Sequence, residues 1–279
     1  MSALPVLVAA AIAATPAMEG AAKAAADPSA SSRSGPEAPE GAGPARPGLA
    51  AALQDELAGA DALWPVRDLP GKERELEEAL ERAAARAPGA PEVLWRQARL
   101  LVWQSEDPGR ARDQRSVLGK RAWELAERAI AAAPRRVEGY FYSAAGMGTY
   151  SLGIGVLQAL LQGIEGKFRE RLAQAEAIEP GFLHGAIPTA WGRLWYELPW
   201  PKHDARRSEE ALRRAIAEAP DDVRALVYLG DVEADEGRRG AAREAYDRAL
   251  AVKPEATDPP EARRWQAAAR ERLARIAER

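Results

Sequence analysis

From Leu49 onward, apolar positions recur every three or four residues and charge falls between them. LQDELAGADALW (53–64), ERELEEALERAAARA (73–87), KRAWELAERAIAAA (120–133) and SEEALRRAIAEA (208–219) each put Ala or Leu on one face and charge on the other. No alternating run of strand length interrupts them. The pattern predicts one all-α body over residues 49–279. The first 48 residues read differently. Residues 1–17 carry no charge, and Leu4–Ala14 has the length of a secretory hydrophobic region but is short for a membrane span. Small-residue patterns suited to cleavage follow, at Ala11-Ile12-Ala13 and Thr15-Pro16-Ala17, and the basic stretch that normally opens such a segment is missing. This is expected to be an atypical signal segment, which implies a periplasmic or cell-envelope location. The other reading is an Ala-rich tail on a cytoplasmic protein. Residues 18–48 are Ala, Pro, Gly, Ser and scattered charge. They bury too little to offset the entropy of ordering, so they read as a disordered linker.

Proline sets the scale of the helical body. ALERAAARAP, AERAIAAAP, AQAEAIEP and LRRAIAEAP end at Pro88, Pro134, Pro180 and Pro220, and a fifth ending falls at Pro254. The intervals are 46, 46, 40 and 34 residues. Proline cannot continue a helix and disfavours helical geometry in the residue before it, so each one closes a helix. A helix at about 70–87 is expected to begin the array as the remnant of a pair, and EARRWQAAARERLARIAER to end it as a polar cap.

The shortest unit, VRALVYLGDVEADEGRRGAAREAYDRALAVKP (223–254), resembles a tetratricopeptide repeat, a helix-turn-helix of about 34 residues. The likeness rests on Leu226, Leu229, Gly230, Gly237, Ala242, Tyr246, Ala249 and Pro254. Gly230 and Ala242 let the helices approach, Gly237 sits in the turn, and Tyr246 fills space toward the next repeat. Glu233 stands where a large aromatic is usual. The expected fold is therefore all-α: tetratricopeptide-like pairs stacked in a superhelical array, with helical insertions in the earlier units.

The insertions differ in character. SEDPGRARDQRSV and ELPWPKHDARR are polar. Residues 139–164, GYFYSAAGMGTYSLGIGVLQALLQGI, are 26 uncharged residues in a row. The length permits a membrane span, but the glycines, glutamines and hydroxyls make a poor one, so none is expected. The segment either packs in the core or lines an apolar cavity or partner surface. GMGTYS is not a dinucleotide fingerprint, since no strand precedes it.

Together with the repeats, YSLGIGVLQALLQGI before a charged helix and GAIPTAWGRLWYELPWPKHDARRSEEALRRAIAEAP resemble the T component of TRAP transporters, over about residues 65–255. In that family a G-R-L-x-Y-x-L-P segment precedes a second repeat helix; here it is Gly192-Arg193-Leu194-Trp195-Tyr196-Glu197-Leu198-Pro199. The resemblance implies an all-helical periplasmic protein that partners a periplasmic solute-binding protein. It also implies homo-oligomers with an apolar cavity that helps pass a hydrophobic ligand. Many members are lipoproteins; this chain has no Cys.

Tetratricopeptide arrays usually bind with their concave face. Aligned on that pattern, the first unit offers Arg96, Leu100 and Trp103, and the second Tyr142, Gly146 and Thr149. The third offers Thr189, Arg193 and Tyr196, and the fourth Arg224, Val227 and Asp231. The candidate site is thus Arg96, Trp103, Tyr142, Thr149, Arg193, Tyr196, Arg224 and Asp231. Arg beside aromatic surface suits a carboxylate ligand or an acidic peptide end. Alternatively these Arg pair with Asp or Glu of neighbouring helices. Trp191 and Trp195 read as core, and Trp200, between two prolines, as hard to bury.

Composition narrows the chemistry. Without Cys there is no disulfide, thiolate catalyst or Cys-bearing zinc site. The two His, His184 and His203, read as loop or cap residues. A net charge of -3 gives no reason to expect nucleic acid. No carboxylate pair, phosphate loop or metal spacing stands out, so neither an enzyme nor a cofactor is expected. The sequence supports a non-catalytic binding and assembly protein of the envelope. The alternative is a cytoplasmic adaptor holding a peptide in its groove.

Overall fold

The computed structural model describes residues 47–277. The signal-like segment 1–17 and residues 18–46 of the expected linker lie outside the described residues. Among the described residues the chain forms helices and short 3-10 turns and no strand. In order these are α1 (Pro47–Leu63), α2 (Lys72–Arg86), α3 (Pro91–Ser105), α4 (Arg112–Ala132), α5 (Val137–Ile154) and α6 (Val156–Leu161). There follow α7 (Ile164–Ile178), α8 (Ala186–Glu197), α9 (Ala205–Glu218), α10 (Val223–Asp235), α11 (Arg239–Ala251) and α12 (Pro259–Ala277). No described helix is long and apolar enough to cross a membrane.

The proline spacing translates directly into backbone. The residues before Pro88, Pro134, Pro180 and Pro220 are Ala87, Ala133, Glu179 and Ala219. Their φ/ψ values are -145/73, -146/75, -148/88 and -137/86, all outside the helical region. The clash of a proline ring with the preceding residue enforces that geometry, so four second helices end alike. Asp204 and Asp222 start α9 and α10 by accepting from the Arg207 and Ala225 amides at 2.9 and 3.0 Å.

The array begins earlier than the sequence suggests. The helix at 70–87 is not a remnant, because α1 packs against α2 as its partner. Ala60 is buried among Leu76, Ala79 and Leu80, and Leu57 against Ala83 and Val93. α1 also starts at Pro47, inside the segment read as linker. Five helix pairs therefore stack, and α12 closes the stack, with Ala262 and Ala269 in the core of α10 and α11.

The glycines of the uncharged segment serve packing. Gly139, Gly146 and Gly153 lie seven apart on α5, on one face of the helix. A Cβ at Gly139 would stand 2.9 Å from Ile130, one at Gly146 2.5 Å from the Trp123 amide, and one at Gly153 2.6 Å from Ser116. All three neighbours belong to α4. Across the same seam a Cβ at Gly119 would stand 2.5 Å from the Tyr150 amide. The two backbones thus touch along their length. At Gly155, φ of 100° ends α5 and turns the chain into α6, so the uncharged stretch is two helices rather than one span.

The stack bends until its ends meet. Trp64 Nε1 donates to Asp258 at 3.0 Å and Arg67 pairs with the same carboxylate at 2.8 Å. Arg263 grips Asp68 at 2.6 and 2.8 Å, and Arg264 donates to the Trp103 carbonyl at 2.8 Å. Arg224 of α10 binds Glu106, after α3, through both nitrogens at 2.9 and 2.7 Å. Such forked pairs fix orientation as well as charge.

Candidate functional site

Closure turns the concave face into a cavity of about 750 Å³. One wall is apolar and comes from the uncharged segment: Phe141 and Leu152 of α5, Val156 and Leu160 of α6, with Phe168 of α7 beside them. Because the glycine face of α5 is spent on α4, its opposite face is left to line space. α6 is apolar on both sides: Val156, Ala159 and Leu160 line the cavity, while Leu157 and Leu161 are exposed at 67% and 77%. The facing wall is ionic and combines Arg193 (α8), Arg224 (α10) and Glu261 (α12) with Glu106 and Asp258 from the loops.

The structure divides the expected groove residues. Trp103, Tyr142, Thr149, Arg193 and Arg224 line the cavity, as does Thr189. Arg96, Tyr196 and Asp231 do not. Arg96 is drawn aside to Asp61 of α1, at 2.9 and 2.6 Å, a partner that exists because α1 completes the first pair. The Tyr196 hydroxyl donates to Asp235 at 2.6 Å. Asp231 is buried as an ionic hub, accepting from Tyr246 at 3.0 Å and pairing with Arg193 and Arg272. Of the remaining aligned positions, Leu100 and Val227 are core and Gly146 faces α4.

The three arginines expected to grip a ligand are all satisfied by the protein. Arg96 holds Asp61. Arg193 holds Asp231 at 3.1 Å and Glu197. Arg224 bridges Glu106 and Glu261, each at 2.7 Å. Burial works against the Arg224 charge, yet Glu106 and Glu261 outweigh it and hold the proton well above the usual guanidinium range. Burial also raises the Glu261 and Asp222 carboxyls above the ordinary range. Pairing with Asp or Glu of other helices, the alternative left open by the sequence, is what the fold adopts, and for Arg224 one partner, Glu106, comes from the far end of the stack.

Sequence reasoning missed two cavity arginines, Arg67 and Arg99. Arg67 is buried to 1% exposure, its guanidinium 3.8 Å from the Trp64 ring and 4.1 Å from the Trp103 ring. Arg99 lies 3.8 Å from Trp64, and Arg264 lies 3.2 Å from Trp103. The side chains thus alternate Arg99, Trp64, Arg67, Trp103, Arg264. Cation–π contact of this kind tolerates charge where carboxylates are few. Trp64 and Arg67 fall in the turn between helices, where no repeat position marks them. The cue would have been a Trp and an Arg three residues apart at the end of an apolar helix.

The Trp positions follow burial. Trp191 and Trp195 stack with centroids 6.4 Å apart; Trp191 packs on the core, and Trp195 is half-buried beneath Arg169 and Arg207. Trp200 is 88% exposed. His184 borders the cavity in a left-handed turn, with φ of 45°, and the exposed His203 ring lies 2.9 Å from the Tyr196 carbonyl.

No family model matches the chain, and no curated protein matches it. Solved structures do. TTC0263, a thermophilic TPR protein of Thermus thermophilus, superposes with a TM-score of 0.59 at 20% identity, over 78% of this chain and 98% of that one. PilF of Pseudomonas aeruginosa gives 0.48 at 14% identity, over 82% and 93%. MamA gives 0.41 at 17% identity, over 66% and 90%. The first likeness establishes the fold: an all-α, tetratricopeptide-like array.

Proposed function

We propose that this chain is a non-catalytic binding and assembly protein of the cell envelope, and that it holds an apolar ligand in the cavity closed by its own ends. The single observation that carries this reading is the 750 Å³ cavity, walled by the uncharged segment. Helical-repeat folds serve as interaction scaffolds by presenting a concave surface. Here the two ends of the stack meet beside that surface, through Asp258 and Glu106, and leave a bounded hollow that suits a small ligand better than an extended peptide. The T-component resemblance over residues 65–255 supports a periplasmic solute-binding protein as partner, and a homo-oligomer as the working form. The apolar stretch at Leu4–Ala14 supports export.

A pull-down from native envelope, with mass spectrometry of proteins and co-purifying small molecules, tests the assignment. A solute-binding protein together with an apolar compound is the expected result. Recovery of cytoplasmic chaperone-like partners alone would replace it with the adaptor reading. A reporter fused after residue 20 is expected to be exported; its retention in the cytoplasm would remove the envelope assignment.

A further inference from the structure

The cavity has a polar end that the paired arginines do not explain. Of the six tyrosines, four have hydroxyl partners: Tyr140 with the Pro134 carbonyl, Tyr150 with Gln162, Tyr196 with Asp235 and Tyr246 with Asp231. The other two, Tyr142 and Tyr228, make no hydroxyl hydrogen bond of ordinary length among the described residues, Tyr142 having only Arg99 beside it, and both line the cavity. They are only 5% and 8% exposed. Neither hydroxyl is sealed off: both open onto the cavity, so whatever fills it can bond them.

Beside Tyr142 lies Arg99. A guanidinium has five N–H groups. The carboxylate that Arg99 reaches is Asp61, at a long 3.4 Å, and Asp61 is already held by Arg96 at 2.6 Å; the other side-chain oxygen beside Arg99 is the Tyr142 hydroxyl. Arg99 Nε is buried and unpartnered, as are Arg67 Nε and one terminal nitrogen of Arg67. Burial pushes the Arg99 guanidinium below its usual range and Arg264 down to about 10. Burial also pushes Tyr142 up to about 12, so its hydroxyl keeps its proton and can donate. The ladder of three arginines meets Asp258 squarely and Asp61 only at its edge. This corner is therefore short of negative charge, although carboxylates outnumber arginines around the cavity as a whole.

We propose that Arg99 and Tyr142 form a head-group subsite that binds the carboxylate of a monoanionic amphiphile whose apolar tail lies along Phe141, Leu152, Leu160 and Phe168. The proposal rests on the cavity being a ligand site. A carboxylate would accept from the Tyr142 hydroxyl and from Arg99, with the Arg67 charge behind it. A dianion would add a second negative charge to a cavity whose carboxylates already outnumber its arginines. An amine is excluded because both donors would oppose it. Tail and head are complementary to the two chemistries that the cavity brings together.

The test is titration of the full chain with dodecanoate, methyl dodecanoate, dodecylamine and dodecyl phosphate, followed by tryptophan fluorescence, since Trp64 and Trp95 flank Arg99. Dodecanoate is expected to bind about tenfold more tightly than its methyl ester, as one charge-assisted pair would give. Dodecylamine is expected to bind more weakly than the ester. Arg99→Gln and Tyr142→Phe should each bring dodecanoate close to the ester and leave ester binding unchanged; Arg99→Lys should restore part of the difference. If Arg99→Gln does not fold, Tyr142→Phe still decides the matter, since it removes one oxygen. Equal binding of acid and ester, or an amine as tight as the acid, would overturn the subsite alone. Tighter binding of dodecyl phosphate would overturn its limit to monoanions. Failure of all four to bind would overturn the cavity reading and this subsite with it.

Discussion

Two repeats built on the same plan use a glycine of their first helix to opposite ends. In the fifth pair, α10 and α11, a Cβ on Gly230 would run into the Tyr246 ring. Tyr246 itself is buried to 1% exposure and bonded to Asp231, so the space between the helices is full. In the expanded third pair, Gly146 faces backward onto the α4 backbone, at Trp123. That contact fixes α5 against the preceding helix and leaves Phe141, Ala145 and Leu152 to face a hollow. One glycine admits a side chain and closes a core; the other admits a backbone and leaves a cavity. A small residue permits close approach without specifying what approaches.

Truncation of apolar side chains separates the two regions most strongly. Leu226→Ala, in the filled fifth pair at 1% exposure, should cost about 2–5 kcal/mol, as large-to-small core changes do. Leu152→Ala, on the cavity wall, should cost about 1 kcal/mol, because one side of Leu152 has no packed neighbour to lose. Denaturant unfolding of both variants checks the ratio; equal costs would mean that the cavity is collapsed in solution. Overpacking runs the other way. Gly146→Val should cost about 3 kcal/mol, because the 2.5 Å neighbour is backbone and cannot turn aside. Gly230→Ala should cost less, and should be partly relieved in the double variant with Tyr246→Leu, whose side chain leaves room; thermal unfolding of the single and double variants reads this coupling. Tyr246→Phe, which loses one bond to a carboxylate, should cost about 1–2 kcal/mol in the same measurement.

The smallest effect is one of pH. Burial raises the folded-state Glu261 carboxyl, so the folded protein binds that proton more tightly than the unfolded chain. The destabilisation this causes is full above the raised value and fades as pH falls through it. Glu261→Gln should therefore stabilise slightly at neutral pH, with Glu106 still holding Arg224, and the gain should vanish on acidification. Glu127 and Glu138 behave oppositely. Burial tends to raise them, but Arg171 and Arg136 outweigh it, so their stabilisation is lost as pH falls through their lowered values. Unfolding free energy measured from neutral pH downward checks both signs.

Glu233 shows how local inspection can mislead. It stands in the position of a packing aromatic, and the sequence implied a flaw there. In the structure it is 2% exposed and held by Arg213 at 3.1 Å and by Arg238, two residues that no repeat pattern would single out. Trp103, Tyr142, Thr149, Arg193 and Arg224 could be placed on the cavity because helical periodicity fixes which face a residue occupies. Arg96 and Asp231 lay on the expected face and still turned away, because salt-bridge partners on other helices claimed them.

Most of the helices, their ends and four of the five pairings were legible in the order of residues alone; the pairing of α1 with α2 was not. Period, proline and glycine act within a few residues, and their effects are steric. The same order marked the uncharged segment as the place where something apolar would be lined. Closure of the array was not legible there, because it depends on Trp64, Arg67 and Asp68 meeting Asp258 and Arg263, some 190 residues away. Nor was the fate of the arginines: folding sets which are spent on carboxylates and which, like Arg99, are left facing a cavity. The outcome for a long charged side chain depends on which partner the folded chain brings within a few ångströms, and periodicity carries no record of that.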